Sequence, residues 1–314
     1  MQHPRIINLL VVALLALVAQ TATAQTGNAP FVLVLGVAQD AGYPQANCYQ
    51  PHCMRAWENP ALKRLTSCIA VIDLKSRVKY LFDATPDIRE QLYRLHLVAP
   101  DDEYTLGGVF LTHGHIGHYT GLMHFGFEAS NSKNIAVYVM PRMHEFIAGN
   151  GPWDQLVSYH NIRLVDLKAS RPVLLSNGLT VTPLLVPHRD EYTETVGFLI
   201  AGPNRSAVFI PDIDKWEQWH TDIRDLIRSV DFALLDGSFF SDGELPGRDM
   251  SKIKHPFVTE TMTRLSGLSD KDKSKVIFIH FNHSNPLLID GSKAQQEVLG
   301  KGFRVAHQGM RLQL

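Results

Sequence analysis

The sequence predicts an α/β protein in which two β-sheets are sandwiched between helices. Short apolar runs recur along the chain, and helical patterns lie between several of them. The earliest runs come as adjacent pairs joined by short turns, Asp73-Leu74-Lys75-Ser76 being one, which suits antiparallel neighbours. Two sheets between helical layers bury apolar runs of this kind in this order.

The elements follow from the N-terminus. Residues 1–5 are short and basic, 9–19 form an unbroken apolar run, and Ala22-Thr23-Ala24 is a small-residue cleavage pattern. This reads as a secretory signal peptide over 1–24, leaving 25–314 as one domain in the periplasm or outside the cell. Eleven apolar residues are too few to cross a bilayer, and no Cys stands at the cleavage point, so no stable membrane anchor is expected. Strands are expected over 31–35, 68–72, 78–82, 108–110, 135–140, 179–186, 196–200, 207–210, 232–235 and 276–281. Helices are expected over 86–97, 143–147, 215–230, 256–268 and 292–299, and the apolar spacing of Leu122, Met123, Phe125 and Phe127 is also helical. Trp216 and Trp219, at i and i+3, read as packing residues. No internal repeat, low-complexity tract or linker is visible.

A hydrophobic content of 45% supplies an ample core. The formal net charge of −1, with no Lys/Arg-rich run, argues against nucleic acid or anionic membrane as partner and leaves a small-molecule substrate. Three cysteines cannot all pair, so the chain is no disulfide scaffold, and Cys68 inside an apolar run reads as a core thiol.

The chemistry concentrates in Leu111-Thr112-His113-Gly114-His115-Ile116-Gly117-His118, directly after an apolar strand. Histidines at i and i+2 leave an extended segment on one side, and one at i+5 returns to the same point as the chain curls. Three imidazole nitrogens around one point suit zinc, with iron or manganese as alternatives. Three more donors end strands: His188 after Val186-Pro187, Asp212 after Ile210-Pro211, and His280 after Phe278-Ile279. Each alone reads as a turn residue.

Together these residues resemble the metallo-β-lactamase superfamily and its His-x-His-x-Asp-His motif, with Gly117 at the Asp position. The resemblance implies a four-layer αββα sandwich in which His113, His115 and His188 hold a first metal, His118 and His280 belong to a second, and Asp212 bridges. It implies hydrolysis of an ester, lactone or phosphodiester by a metal-bound hydroxide that Asp212 orients or deprotonates; with Gly117 weakening the second ion, catalysis is expected to run on one metal, His118 and His280 being freed to act as catalytic residues that bind substrate or shuttle protons. Without a side chain at 117, the second ion is expected to be labile, absent, or completed by Asp190 or Asp83, so that one or two ions sit at the site.

Leu35-Gly36, the stretch 42–48, the stretch 82–92 and the stretch 278–286 narrow the resemblance to the pyrroloquinoline quinone biosynthesis protein B branch, here as a secreted relative. That branch suggests an iron-dependent oxidase or hydroxylase of a tyrosine-like or quinone precursor as the competing function; a non-catalytic carrier is a third. It also implies a structural zinc at Cys48, Cys53 and His283, with His52, although one family cysteine is replaced by Gln50. A Cys48 to Cys53 disulfide is the alternative in an oxidising compartment. Arg189, Asp190 and Arg248 are the candidate substrate contacts, with either arginine as an anion clamp.

Overall fold

The structure is a computed structural model that describes residues 29–314 apart from Asn177; the expected signal peptide lies outside the described residues. The first sheet holds β1 (Phe31–Gly36), β2 (Cys68–Asp73), β3 (Val78–Phe82), β4 (Thr105–Phe110), β5 (Ile135–Val139) and β6 (Ile162–Asp166). The second holds β7 (Val173–Ser176), β8 (Leu179–Leu185), β9 (Val196–Ala201), β10 (Ser206–Ile210), β11 (Phe232–Asp236), β12 (Val276–Ile279) and β13 (Arg304–Val305), and β14 (Arg311–Gln313) returns to the first. Their spatial orders are β14-β1-β2-β3-β4-β5-β6 and β13-β12-β11-β10-β9-β8-β7.

Both sheets run through the same succession of pairings. From β14 to β3 neighbours are antiparallel and from β3 to β6 parallel. From β7 to β10 they are antiparallel and from β10 to β13 parallel. β3 and β10 therefore hold equivalent places, at the point where the pairing changes sense.

The runs are continuously apolar because both faces of each sheet are covered. In the first sheet the two faces alternate residue by residue, as the pleat requires. Leu33, Leu35, Ala70 and Ile72 face a helical layer that includes Ile88, Leu122, Met143 and Ile147. Val32, Val34, Ile69 and Val71 face the second sheet. Aromatic rings knit the sheets together, with Phe82 and Phe110 stacked at 5.0 Å and Phe198 edge-on to both at 5.4 and 5.6 Å. Helices such as Ile223–Ser229, Val258–Arg264 and Lys293–Gly300 cover the outer face of the second sheet, completing the αββα sandwich.

Several expected helices are shorter in the structure, among them those over 215–230 and 256–268. The pattern over 215–230 breaks into a 3-10 turn, Trp216–Gln218, and a helix, Ile223–Ser229, capped by Asp222, whose carboxylate accepts from the Arg224 N–H at 2.9 Å. Trp216 and Trp219 are buried as expected, each spending its indole N–H at 2.8 Å, on Thr261 Oγ1 and the Leu185 carbonyl. The segment after the histidines forms a short helix, Ile116–Tyr119, and a 3-10 turn, Thr120–Phe125.

Candidate metal centre

The strand ends of both sheets meet at one place. β4 leads into Thr112 and His113, β12 into His280, β8 through Val186-Pro187 into His188, and β10 through Pro211 into Asp212. His115 precedes the short helix that carries His118. All six expected metal-site residues converge, and His113, His118, His188, Asp212 and His280 are buried.

Asp212 lies between two groups of donors. Its Oδ2 is 3.4 Å from His113 Nε2, 3.3 Å from His188 Nε2 and 3.8 Å from His118 Nε2. His113 Nε2 and His115 Nδ1 face each other at 2.9 Å. One group is His113, His115, His188 and Asp212; the other is Asp40, His118 and His280; within each, the donor atoms lie within 4.8 Å of one another. Donors about 2.1 Å from one ion in tetrahedral array stand ~3.4 Å apart, so this spacing suits shared coordination.

The imidazoles are oriented from behind. His118 Nδ1 meets Asp83 at 2.8 Å, His188 Nδ1 meets Asp214 at 3.0 Å, His280 Nδ1 meets Ser238 Oγ at 2.9 Å, and His113 Nδ1 meets Thr112 Oγ1 at 3.0 Å. Metal-binding histidines are held in this way. The inward atoms are left over: His118 Nε2, His188 Nε2, His280 Nε2, Asp212 Oδ1 and Asp40 Oδ1 are buried without a hydrogen-bond partner. Orphaned polar atoms are costly, and five aimed at one place fit a cation.

The electrostatics agree. Burial opposes charge on Asp212, yet His188 and His255 hold its carboxyl well below the usual range. Burial likewise opposes protonation of His188, but Asp212 and Asp214 lift it to about 9. His115 falls to about 4, chiefly through burial, and burial and the neighbouring His118 lower His113. The carboxylates thus favour positive charge at the centre, while His113 and His115 keep free lone pairs.

Three of the residues have left-handed backbone, Asp40 at φ 35°, Asp83 at 71° and His280 at 68°. Such conformations are uncommon outside glycine and gather at functional sites.

Asp83 does not complete the second group; its carboxylate binds the Thr112 N–H at 2.8 Å and His118 Nδ1, which makes it an orienting residue. Asp190 is exposed and pairs with Arg142 at 3.6 Å. Arg189 borders a cleft of about 500 Å³ that opens beside His115 and Asp40 and is walled by Tyr119, Phe146, Trp153 and Tyr192. Arg248 is exposed and outside that lining.

Asp40, Asp214 and His255 escape the motif reading. Asp40 carries a signal of the same kind as Asp212, a carboxylate shortly after an apolar strand. Asp214 follows Asp212 by two residues, with no sign that it reaches His188. His255, in a loop far from any strand end, has no sequence signal; its Nδ1 meets Asp236 Oδ2 at 2.9 Å and lies 3.1 Å from Asp212 Oδ1, out of hydrogen-bond alignment.

At the expected structural site, Cys48 and Cys53 are paired as a disulfide with Cα atoms 6.0 Å apart. His52 and His283 stack beside them at 5.4 Å, and His283 Nδ1 is buried without a partner. The same four residues group as potential ligands of a metal.

Comparison with known proteins agrees with this geometry. The beta-lactamase superfamily domain profile matches residues 79–281. Coenzyme PQQ synthesis protein B of Methylobacterium sp. strain 4-46 is 26% identical, covering 90% of this chain and 99% of that protein. The solved zinc-bound PqqB from Methylobacterium extorquens superposes with a TM-score of 0.75 at 23% identity over 90% of this chain and 100% of that one. A diphosphatase of the PhnP family superposes at 0.63 with 20% identity, covering 91% of this chain and 97% of that one.

Proposed function

Since the chain belongs to the β-lactamase superfamily and has its metallo-β-lactamase fold, we propose that it is a metal-dependent hydrolase of a small ester, lactone or phosphodiester. The observation that carries this reading is the set of orphaned, oriented donors beside an open cleft. His113, His115 and His188 with Asp212 would hold one ion, and His118 and His280 with Asp212 a second. Zinc suits the nitrogen and carboxylate donors and is the metal of the similar PqqB, with manganese and iron as alternatives. Cations bound there supply Lewis acidity and an acidified water.

The rest is done by the chain itself. Asp212, kept ionised by His188 and His255, would hold the ions and orient the nucleophile. Asp214, Asp83 and Ser238 fix the rings of His188, His118 and His280, so little reorganisation accompanies reaction. The aromatic wall of Tyr119, Phe146, Trp153 and Tyr192 receives the organic part of the substrate, and Arg189 its anionic part. The cleft makes a phosphodiester or ester with an aromatic or otherwise apolar arm the favoured substrate class. We place the mature protein in the periplasm or outside the cell, on its N-terminal segment.

The test is to purify the full protein, quantify its metals and screen aryl phosphodiesters, esters and lactones. Turnover by zinc- or manganese-loaded protein, removed by a chelator and by His188→Ala, is expected. Iron with oxygen consumption would replace hydrolysis by oxidation, and ligand retention without turnover would make the protein a carrier.

A further inference from the structure

Gly117 leaves the second group of donors without the carboxylate expected from the motif, yet the structure places a carboxylate there. An ideal Cβ on Gly117 would lie 2.5 Å from Asp40 Cα and 2.6 Å from Asp40 Oδ1. The room that a side chain at 117 would need is filled by Asp40. We propose that Asp40 is the charged ligand of a second metal position with His118, His280 and Asp212, and that residue 117 is glycine because Asp40 reaches the site from the turn after β1.

Asp40 is built into this place. The segment after β1 is stitched to the segment after β12: Gln39 N donates to the Phe281 carbonyl at 2.7 Å, and Phe281 N to the Val37 carbonyl at 2.8 Å. These bonds set Asp40 beside His280, and Thr66 Oγ1 donates to the Asp40 carbonyl at 3.4 Å. The backbone there is left-handed, at φ 35°, a conformation that aspartate tolerates better than most residues. Its Oδ1 is buried, lies 3.8 Å from His118 Nε2 and has no hydrogen-bond partner, and His118 Nε2 and His280 Nε2 are equally unpartnered. Most buried side-chain polar atoms have a hydrogen-bond partner, and these three, grouped within 4.8 Å, do not. A cation needs these three atoms left free.

The second position is then a full ligand set of two imidazoles and two carboxylates, Asp212 shared with the first. The ligand comes from the turn after β1 instead of the helix of His118, and the expected weak second ion gives way to a firm one.

The inference rests on the metal-centre reading, and the experiment separates their failures. Protein stripped by a chelator is titrated with zinc alone and followed by calorimetry and elemental analysis. Native protein should hold two ions in the His/Asp cluster. Asp40→Asn, nearly isosteric and losing no hydrogen bond of Oδ1, should melt like the native protein but hold one ion fewer, or the second at least ten-fold more weakly. Asp40→Ala should do the same, and His113→Ala should instead weaken the other ion. Gly117→Asp should lower thermal stability, because its new side chain meets Asp40 backbone. Two ions held as tightly in Asp40→Asn and Asp40→Ala as in native protein would overturn the inference while leaving the hydrolase reading in place; so would a Gly117→Asp variant of unchanged stability with a tighter second ion. No ion in the cluster of the native protein would sink both.

Discussion

Asp214 touches no reacting group, yet it fixes which nitrogen of His188 faces inward. The contact at 3.0 Å occupies Nδ1 and leaves Nε2, 3.3 Å from Asp212, as the donor. Removing such an orienting carboxylate weakens metal binding about 10–100-fold. Asp214→Ala should therefore loosen the His113/His115/His188 ion by that factor while leaving the His118/His280 ion unchanged; loss of both together, or of neither, in chelator competition would contradict the assignment. At this scale the sequence is legible where donors sit at fixed spacing in one segment, as in His113, His115 and His118, or end an apolar run, as do His188, Asp212 and His280. It does not place residues whose position depends on how separate loops meet, even where, as at Asp40, a carboxylate shortly after an apolar strand gives a signal. Asp40 reaches the site through hydrogen bonds to residue 281, and His255 arrives on a loop with no periodicity at all.

Among the elements, buried strands read clearly, and edge strands poorly. β6, β7, β13 and β14 are short or half-exposed, so no continuous apolar run announces them. The loop over 239–257, between β11 and helix Val258–Arg264, was equally hard to read. A small apolar cluster of Phe239, Met250, Ile253 and Phe257 holds it down. Within it Glu244 accepts from the Phe240 N–H at 2.6 Å and from Ser284 Oγ. Burial pushes its carboxyl from 4.5 up to about 7, against those two hydrogen bonds. The sign follows from linkage: the unfolded chain releases this proton near pH 4.5 while the folded one keeps it to about 7, so Glu244 costs stability increasingly as pH rises across that window. The melting temperature of Glu244→Gln relative to native protein should climb between those pH values and level off above them. A constant difference would show that folding leaves the Glu244 carboxyl unshifted.

For the whole molecule, the two-sheet architecture was legible because apolar runs and helical patterns must bury their faces in layers. The equivalence of the two sheets was not, since it lies in the order and sense of strand pairing and leaves no repeated residues. The compartment bears on the cysteine site. If the chain is exported, the purified mature protein should begin at or near Gln25 and weigh two hydrogens less than its reduced form, the Cys48 to Cys53 bond being closed. An intact Met1 on cytoplasmic protein, with zinc lost on Cys53→Ser, would instead favour a metal clip of Cys48, Cys53, His52 and His283.

The pairing of β14 with β1 brings the two extremes of the described chain side by side, Leu314 N donating to the Pro30 carbonyl at 2.8 Å. Joined by a short linker from 314 to 29 and reopened between β6 and β7, the polypeptide would spell β7 to β13 and then β14 to β6, one seven-strand unit after the other. In that rearranged order the chain would run twice through one succession of strand pairings, with Asp212 and Asp83 each just beyond the pivotal strand of its sheet. The two carboxylates divide the work of the centre: Asp212 faces the inward nitrogens of His113 and His188, and Asp83 steadies the ring of His118 from behind.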